Sequence, residues 1–154
     1  MPNTYTQLYI HIVFAVKARQ HFITEPYREA IQKYISGIIS NKNQKLYAIF
    51  CMPDHAHIFV SIQPNINVSD LVRDIKSNST IWIKSSFLVL KSFAWQEGFG
   101  AFSYSKSHAD NVINYIINQP NHHKRKTFKE EYVEFLDAFN ISYDNKYLFE
   151  FYNE

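Results

Sequence analysis

The order in which strand-like and helix-like patterns alternate constrains the fold of this 154-residue chain more than any other feature. Four stretches carry the apolar, β-branched or aromatic residues typical of strands: 8–16, 45–51, 55–62 and 93–105. Three stretches place apolar residues at helical spacing behind a capping residue: 24–41, 67–86 and 107–119. The second and third strand-like runs flank a break at Pro53 and Asp54, so we expect them to pair as a hairpin.

This strand, helix, hairpin, helix, strand order predicts an α+β fold: a ferredoxin-like sandwich in which an antiparallel β-sheet has its helices packed on one face. With 46% hydrophobic residues, the chain is long enough for one core and short for two. We therefore expect a single domain over residues 1–154. Residues 127–154 should form an acidic C-terminal helical extension, because apolar residues recur there at helical spacing: Tyr132, Phe135, Leu136 and Phe139.

Charge and composition limit the kinds of binding partner and the cellular compartment that suit this chain. Residues 1–126 contain 14 Lys and Arg against 7 Asp and Glu, whereas residues 127–154 contain 2 against 7. A basic body suits a polyanionic partner such as a nucleic acid, although an excess of this size is common in proteins that bind none. No run approaches the ~18 apolar residues of a membrane span, and a lone cysteine, Cys51, fits a reducing compartment. We expect a cytoplasmic protein with no membrane partner.

Two histidines one residue apart, His55 and His57, interrupt the third strand-like run. Side chains alternate between the two faces of a strand, so both imidazoles project from one face, about 7 Å apart, while Ala56 points away. Two convergent imidazoles make half of a metal site. They could also be two partly exposed strand histidines, and a third ligand would separate the two interpretations.

The third helical stretch offers a candidate ligand and a candidate nucleophile. Its core stripe consists of Ala109, Val112, Ile113, Ile116 and Ile117. At 100° per residue, Tyr115 lies roughly 130° from the centre of that stripe, with Gln119 one turn further on. Residues four apart share a helix face, so both side chains could contact the same object. An exposed helical tyrosine is also ordinary surface decoration.

Three other histidine or cysteine chemistries do not fit the sequence. A histidine-triad nucleotide hydrolase needs a third histidine where Phe59 stands. A two-histidine phosphodiesterase needs two separated His-x-Thr/Ser motifs, whereas Val13 and Phe59 stand two residues after His11 and His57. A structural zinc site would require more than one cysteine.

Four local signatures together resemble a known family, the single-tyrosine HUH transposases of bacterial insertion sequences of the 200/605 type. They are VFAVKAR at 13–19, MPDHAHIFV at 52–60, WQEGFGAFS at 95–103 and YIINQPNHH at 115–123. The resemblance covers roughly residues 5–126. Each signature is weak alone, but the four in this order are specific. The candidate site positions show no departure from the family pattern, whereas Phe99 stands where we would expect tyrosine.

The resemblance implies a DNA transposase, a metal-dependent endonuclease and strand transferase for single-stranded DNA. Tyr115 would be the nucleophile, forming a 5′-phosphotyrosine at hairpin-containing element ends and freeing a 3′-hydroxyl. His55, His57 and Gln119 would hold a divalent metal, Mg²⁺ or Mn²⁺, and imidazole ligands suggest that Mn²⁺ works at least as well. The family also implies a homodimer whose active sites pair Tyr115 of one subunit with the histidines of the other. The sequence names no base that activates Tyr115.

DNA contacts are expected from basic residues near these signatures: Lys17, Arg19, Arg73, Lys76, Lys84, Lys124 and Arg125. Each of these basic stretches could equally be a solvated charged face. An alternative function is that of a domesticated relative, which binds hairpin DNA at genomic palindromic repeats, with or without nicking it, and mobilises no element. An intact catalytic set argues against an inactive binder.

Overall fold

The structure is a computed structural model that describes residues 3–144 and Leu148. In this part of the chain the sheet has four strands: β1 Tyr9–Ala15, β2 Lys45–Met52, β3 His55–Ser61 and β4 Gly100–Tyr104. They lie in the order β2-β3-β1-β4, and every neighbouring pair is antiparallel. The predicted α+β sandwich of ferredoxin-like order and the β2-β3 hairpin are therefore confirmed.

The described residues form five α-helices: α1 Glu25–Asn41, α2 Val68–Ser86, α3 Ala109–Ile117, α4 Gln119–His122 and α5 Phe128–Ala138. At the start of α2, the side chain of Asn67 accepts a hydrogen bond from the backbone N–H of Asp70 at 2.7 Å. The predicted helix over 107–119 is instead the pair α3 and α4. Pro120 explains the break, because it has no N–H for the carbonyl of Ile116 and its ring would clash with that carbonyl. None of these helices combines the length and apolar character needed to cross a membrane.

Helices α1 and α2 cover one face of the sheet. Phe14 of β1 points to that face, where its ring centroid lies 4.7 Å from that of Trp95. The two helices contact each other through the stacked rings of Tyr34 and Trp82, whose centroids are 4.5 Å apart. The fully buried strand residues of this layer include Ile12, Ile58 and Val60. Burial of apolar area, at about 25 cal/mol per Å², is the main stabilising contribution of such a layer.

Helices α3 and α5 cover the opposite face, which carries the buried histidines His11, His55 and His57. Phe59 of β3 packs with Val112 of α3, and Phe102 of β4 stacks on Phe135 of α5 with centroids 5.1 Å apart. The predicted one-sided packing thus describes α1 and α2 but not α3 and α5. This face carries aromatic rings beside its histidines, and a covering layer removes those rings from water.

Helix α5 lies within the predicted acidic extension. Thr127 and Glu130 form a reciprocal capping box at its start. Its buried residues are Phe128, Glu131, Tyr132 and Leu136. Residues 145–147 and 149–154 of the predicted extension lie outside the described residues, and the division of the chain into one domain with an extension stays a prediction.

Two glycine substitutions test how closely α5 packs on β4. A Cβ atom at Gly100 would lie 2.8 Å from both Cε1 and Oη of Tyr132. Gly100→Ala must displace that ring, so we expect the free energy of unfolding to fall by about 1–3 kcal/mol. A Cβ atom at Gly37, in the middle of α1, would meet no heavy atom within 4 Å.

The matched variant Gly37→Ala should therefore raise the free energy of unfolding by about 0.5–1 kcal/mol, because alanine loses less conformational entropy in a helix. Urea denaturation followed by circular dichroism measures both variants. A Gly100→Ala protein as stable as the wild type would contradict the close contact between β4 and α5.

Candidate active site

His55 and His57 lie on one face of β3, as the strand alternation predicted. Their exposed fractions are 1% and 0%, so neither is a surface histidine. Their ring centroids are 5.1 Å apart. Strand β3 lies between β1 and β2 in the sheet, and this central position fixes the backbone from which both imidazoles project.

The Nδ1 atom of each histidine forms a hydrogen bond with a neighbouring side chain. Asp54, at the hairpin turn, places Oδ1 2.7 Å from Nδ1 of His55. His11, on β1, places Nε2 2.9 Å from Nδ1 of His57. A second hydrogen bond of this kind orients an imidazole ring. Both Nε2 atoms therefore face the layer formed by α3, α4 and α5.

The carboxylate of Glu131 meets the two histidines from α5. Its Oε1 atom lies 3.0 Å from Nε2 of His57, 3.2 Å from Nε2 of His123 and 3.7 Å from Nε2 of His55. Burial acts to raise the pKa of the Glu131 carboxyl, but the charge of His57 and the hydrogen bonds of His123 and His57 outweigh it. The pKa consequently lies well below its usual range, and the group is a carboxylate.

The other carboxylate oxygen of Glu131 accepts hydrogen bonds from both the candidate nucleophile, Tyr115, and the candidate amide ligand, Gln119. Oε2 of Glu131 accepts a hydrogen bond from the hydroxyl of Tyr115 and another, at 3.0 Å, from Nε2 of Gln119. Burial, followed by the negative charge of Glu131, raises the pKa of the Tyr115 phenol well above its ordinary value. In this arrangement the phenol is therefore a neutral hydrogen-bond donor.

The donor set fits a divalent cation. Ligand atoms of four side chains, His55, His57, His123 and Glu131, all lie within 4.8 Å of one another. Among the described residues, two buried polar atoms beside them have no hydrogen-bond partner: Nε2 of His55 and Oε1 of Gln119. An unsatisfied buried acceptor is costly, and a cation would accept both lone pairs. Imidazole nitrogen with carboxylate and amide oxygen is a donor set that transition-metal ions take.

Tyr115 lies beside the histidines of its own chain. Its ring centroid is 6.1 Å from that of His57 and 4.3 Å from that of His122. Helix α3 places it there because Val112 and Ile116 pack against the sheet, and the half-buried ring of Tyr115 packs against the same cluster. Candidate nucleophile and histidines thus come together within one chain, and the active site shared between subunits that the resemblance implied stays a prediction.

The basic residues predicted to contact DNA lie in different environments. The ammonium of half-buried Lys76 donates to the carbonyls of residues 96 and 98 at 2.8 and 2.6 Å, and burial lowers its pKa to about 8. Arg73 pairs with Asp70 at 2.9 Å. The side chains exposed to solvent are Lys17, Arg73, Lys84, Lys124 and Arg125. Arg19 is described as part of a short 3-10 turn. Lys76 is thus engaged within the protein, whereas Arg73 forms its ion pair at the surface.

Sequence patterns assigned no role in this cluster to four of its polar residues: His11, Asp54, His123 and Glu131. Glu131 had a readable signal, because it falls between Phe128 and Leu136 on the apolar side of α5, where an acid is unusual. His123 was grouped with the basic residues that follow it. His11 and Asp54 reach the histidine pair through strand pairing and the hairpin turn, and no local pattern marks them.

Relatives of known identity share parts of this sequence. A family model described as "Transposase IS200 like" matches residues 4–119. The IS200 transposases of Salmonella typhimurium and Salmonella typhi are each 30% identical to the chain over 81 residues, which cover 53% of this chain and 53% of each relative. The ISDra2 transposase TnpA of Deinococcus radiodurans is 24% identical over 89 residues, covering 58% of this chain and 64% of that protein. The chain thus spans about half the length of the IS200 relatives it matches.

Two solved structures share the fold. A crystal structure of a Deinococcus radiodurans R1 protein assigned as a transposase has a TM-score of 0.64 at 22% identity, covering 76% of this chain and 94% of that chain. A REP-associated tyrosine transposase bound to a REP hairpin has a TM-score of 0.59 at 18% identity, covering 79% and 72%. The family match extends from before β1 to the first residue of α4 and includes His55, His57, Tyr115 and Gln119. This chain therefore belongs to the IS200-like transposase family.

Proposed function

We propose that this protein is a single-tyrosine transposase, a metal-dependent endonuclease and strand transferase that acts on single-stranded DNA. One observation supports this most strongly: Tyr115, His55, His57 and Gln119, separate in the sequence, meet around the buried carboxylate of Glu131. The curated relatives are named transposases. We do not favour the alternative of a protein that only binds hairpins at genomic repeats, because binding alone needs no nucleophile beside a set of metal ligands.

The metal would be held by the Nε2 atoms of His55 and His57, with Gln119, Glu131 and His123 as candidates for the remaining positions. When bound, a divalent cation polarises the scissile phosphate and orients it for in-line attack. The sequence predicted an entirely neutral ligand set, whereas Glu131 adds an anionic oxygen. Carboxylate oxygen is a ligand that both Mg²⁺ and Mn²⁺ accept, so we propose one of these two as the physiological ion.

In the proposed first step, the phenol oxygen of Tyr115 attacks the phosphorus of a single strand. The Tyr115 O–P bond forms, the P–O3′ bond breaks, and the departing oxygen takes up a proton to become a 3′-hydroxyl. Glu131, whose Oε2 atom already accepts the hydrogen bond of the phenol, orients Tyr115 for this attack, and the phenol proton is released to solvent as the O–P bond forms. A 3′-hydroxyl later attacks the phosphotyrosine and releases Tyr115, so the phosphodiester energy is kept and no ATP is required.

Single-stranded DNA with hairpins is the proposed substrate. One structural relative is described as bound to a REP hairpin. A cavity of about 510 Å³ beside α4 is lined by Asn118, Asn121, His122, Lys124 and Arg125. Its amide and cationic lining suits a phosphodiester backbone, and we propose Lys124 and Arg125 as phosphate contacts. The other predicted contacts stay predictions: Lys17, Arg19, Arg73, Lys76 and Lys84.

The variant Tyr115→Phe removes the attacking oxygen and little else. We expect cleavage to fall by roughly a thousandfold or more, whereas hairpin binding should stay within a few-fold because the nucleophile contributes little to ground-state binding. The measurement is a covalent protein–DNA adduct on a denaturing gel, formed with labelled single strands from both flanks of the gene in Mn²⁺, Mg²⁺ or EDTA. Tyr104→Phe, at another half-buried tyrosine on this side of the sheet, is the matched control. An adduct with Tyr115→Phe would assign the nucleophile to another of the 11 tyrosines.

The variant His57→Ala should lose metal-dependent cleavage and bind Mn²⁺ at least about tenfold more weakly, because the remaining groups hold a divalent ion poorly. Calorimetric titration with Mn²⁺ gives the affinity, and the adduct assay gives the activity. His108→Ala, at an exposed histidine outside the cluster, should change neither. Full activity in His57→Ala would remove the histidine pair from the metal site.

Mixing two inactive variants tests whether the proposed homodimer shares its active sites. Tyr115 lies beside His57 of its own chain, which supports a site completed within one chain. A mixture of Tyr115→Phe and His57→Ala proteins, co-purified after co-expression, should then stay inactive in the adduct assay. Recovery of up to about half of the wild-type activity per dimer would instead show that one subunit supplies the tyrosine and its partner the histidines.

A further inference from the structure

His11 takes no part in the proposed chemistry, although its hydrogen bond is to a proposed metal ligand. It lies on β1, opposite Phe59 of β3 and Phe102 of β4, and its exposed fraction is 0%. Its Nε2 atom is 2.9 Å from Nδ1 of His57. What this hydrogen bond does for His57 depends on which nitrogen of each ring carries the proton.

A metal-bound imidazole gives the lone pair of one nitrogen to the metal and carries its proton on the other. Nε2 of His57 is the atom that faces the site, 3.0 Å from Glu131. When that atom binds a metal, the proton of His57 is on Nδ1 and needs an acceptor. His11 offers one through the lone pair of Nε2, which puts the proton of His11 on its own Nδ1. For His55, the acceptor in the same role is the carboxylate of Asp54, whose Oδ1 atom lies 2.7 Å from Nδ1.

We propose that His11 is a positioning residue that accepts the Nδ1–H of His57 and so holds that ring in the tautomer whose Nε2 lone pair faces the metal. This inference rests on the proposed function, because it requires His57 to be a metal ligand. It adds a residue of β1 to a site otherwise built from β3 and the helices α3, α4 and α5. Loss of the acceptor would leave His57 with a buried N–H and no partner.

Packing alone does not account for a histidine at position 11. The ring lies among aromatic neighbours, with centroids 5.1 Å from Phe135, 6.2 Å from Phe102 and 6.3 Å from Tyr104. A phenylalanine would suit that environment and would bury no polar atom. His11 does bury one, because within residues 3–144 and Leu148 its Nδ1 has no hydrogen-bond partner. The hydrogen bond to His57 is the contact that a phenylalanine could not make.

A cavity beside His11 can satisfy the remaining nitrogen. It has a volume of about 190 Å³ and is lined by His11, Tyr104, His108 and Asn111, among others. The lining is mostly apolar, but the cavity has room for a water molecule, which needs roughly 30 Å³, next to the polar groups just named. A water there would accept the Nδ1–H that the proposed tautomer of His11 carries.

Mn²⁺ affinity, measured by calorimetric titration of the full chain, tests the proposal. His11→Leu removes the acceptor and should weaken binding by about 10- to 100-fold. His11→Gln can place its amide oxygen near the position of Nε2, so it should bind within a few-fold of the wild type. The matched control Phe59→Leu disturbs the same buried face without touching a ligand and should leave the affinity within about twofold. Equal weakening in His11→Gln and His11→Leu would overturn the proposal, since lost packing would then explain both.

A spectroscopic measurement on the wild type avoids variants that fold poorly. Long-range ¹H–¹⁵N correlation of the Zn²⁺-loaded protein, with Zn²⁺ as a diamagnetic probe, should show His57 protonated at Nδ1 and metal-bound at Nε2. The opposite assignment would overturn the proposal. Wild-type protein that binds neither Mn²⁺ nor Zn²⁺ would contradict the proposed function as well. Normal wild-type binding with unchanged affinity in His11→Leu would contradict the role of His11 alone.

Discussion

The compensation of one buried negative charge, the carboxylate of Glu131, is the constraint on which the arrangement of this site depends. Moving an ionised carboxylate out of water costs several kcal/mol unless other groups pair with it and hydrogen-bond to it. Here His57 of β3, Tyr115 of α3, Gln119 of α4 and the nearby His123 supply those partners. The layer of helices over this face of the sheet therefore docks so that its polar groups converge on a single point.

The sheet separates the apolar core from the chemistry. One face of β1 presents Ile12 and Phe14 to α1 and α2, and these side chains are fully buried among apolar neighbours. The other face presents His11 and Val13, which are two positions apart in the strand, towards α3 and α5. Because strand side chains alternate, one strand can serve both environments. Burial of apolar side chains on the first face offsets the free-energy cost of burying several histidines on the second.

The same carboxylate connects the candidate metal ligands with the candidate nucleophile. Its Oε1 atom faces the imidazoles and its Oε2 atom accepts the hydrogen bond of Tyr115. Its negative charge adds to burial in keeping the phenol protonated. In the proposed function, a cation bound to the same group would reduce that charge at the phenol and so would link metal occupancy to the reactivity of Tyr115 through electrostatics.

Local periodicity was enough to predict part of the site. The two-residue repeat of a strand placed His55 and His57 on one face, and the helical repeat brought Tyr115 and Gln119 to the same neighbourhood, where both contact Glu131. The helix predicted over 107–119 ends two residues earlier, at Ile117, because Pro120 cannot continue its hydrogen bonding. The partners of the imidazoles escaped prediction, since His57 and Glu131 are 74 positions apart in sequence.

The sequence by itself determined the order of strands and helices, the α+β class, the shared face of the histidine pair and the family of the chain. Each of these follows from residue types and short-range spacing, which act on neighbours along the chain. The tertiary structure decided that helices cover both faces, that Tyr115 meets the histidines of its own chain, and that an acid from α5 lies among them. Those features depend on how distant elements dock, and docking is governed by the burial of apolar area and the pairing of buried charge across the whole fold, which no local pattern encodes.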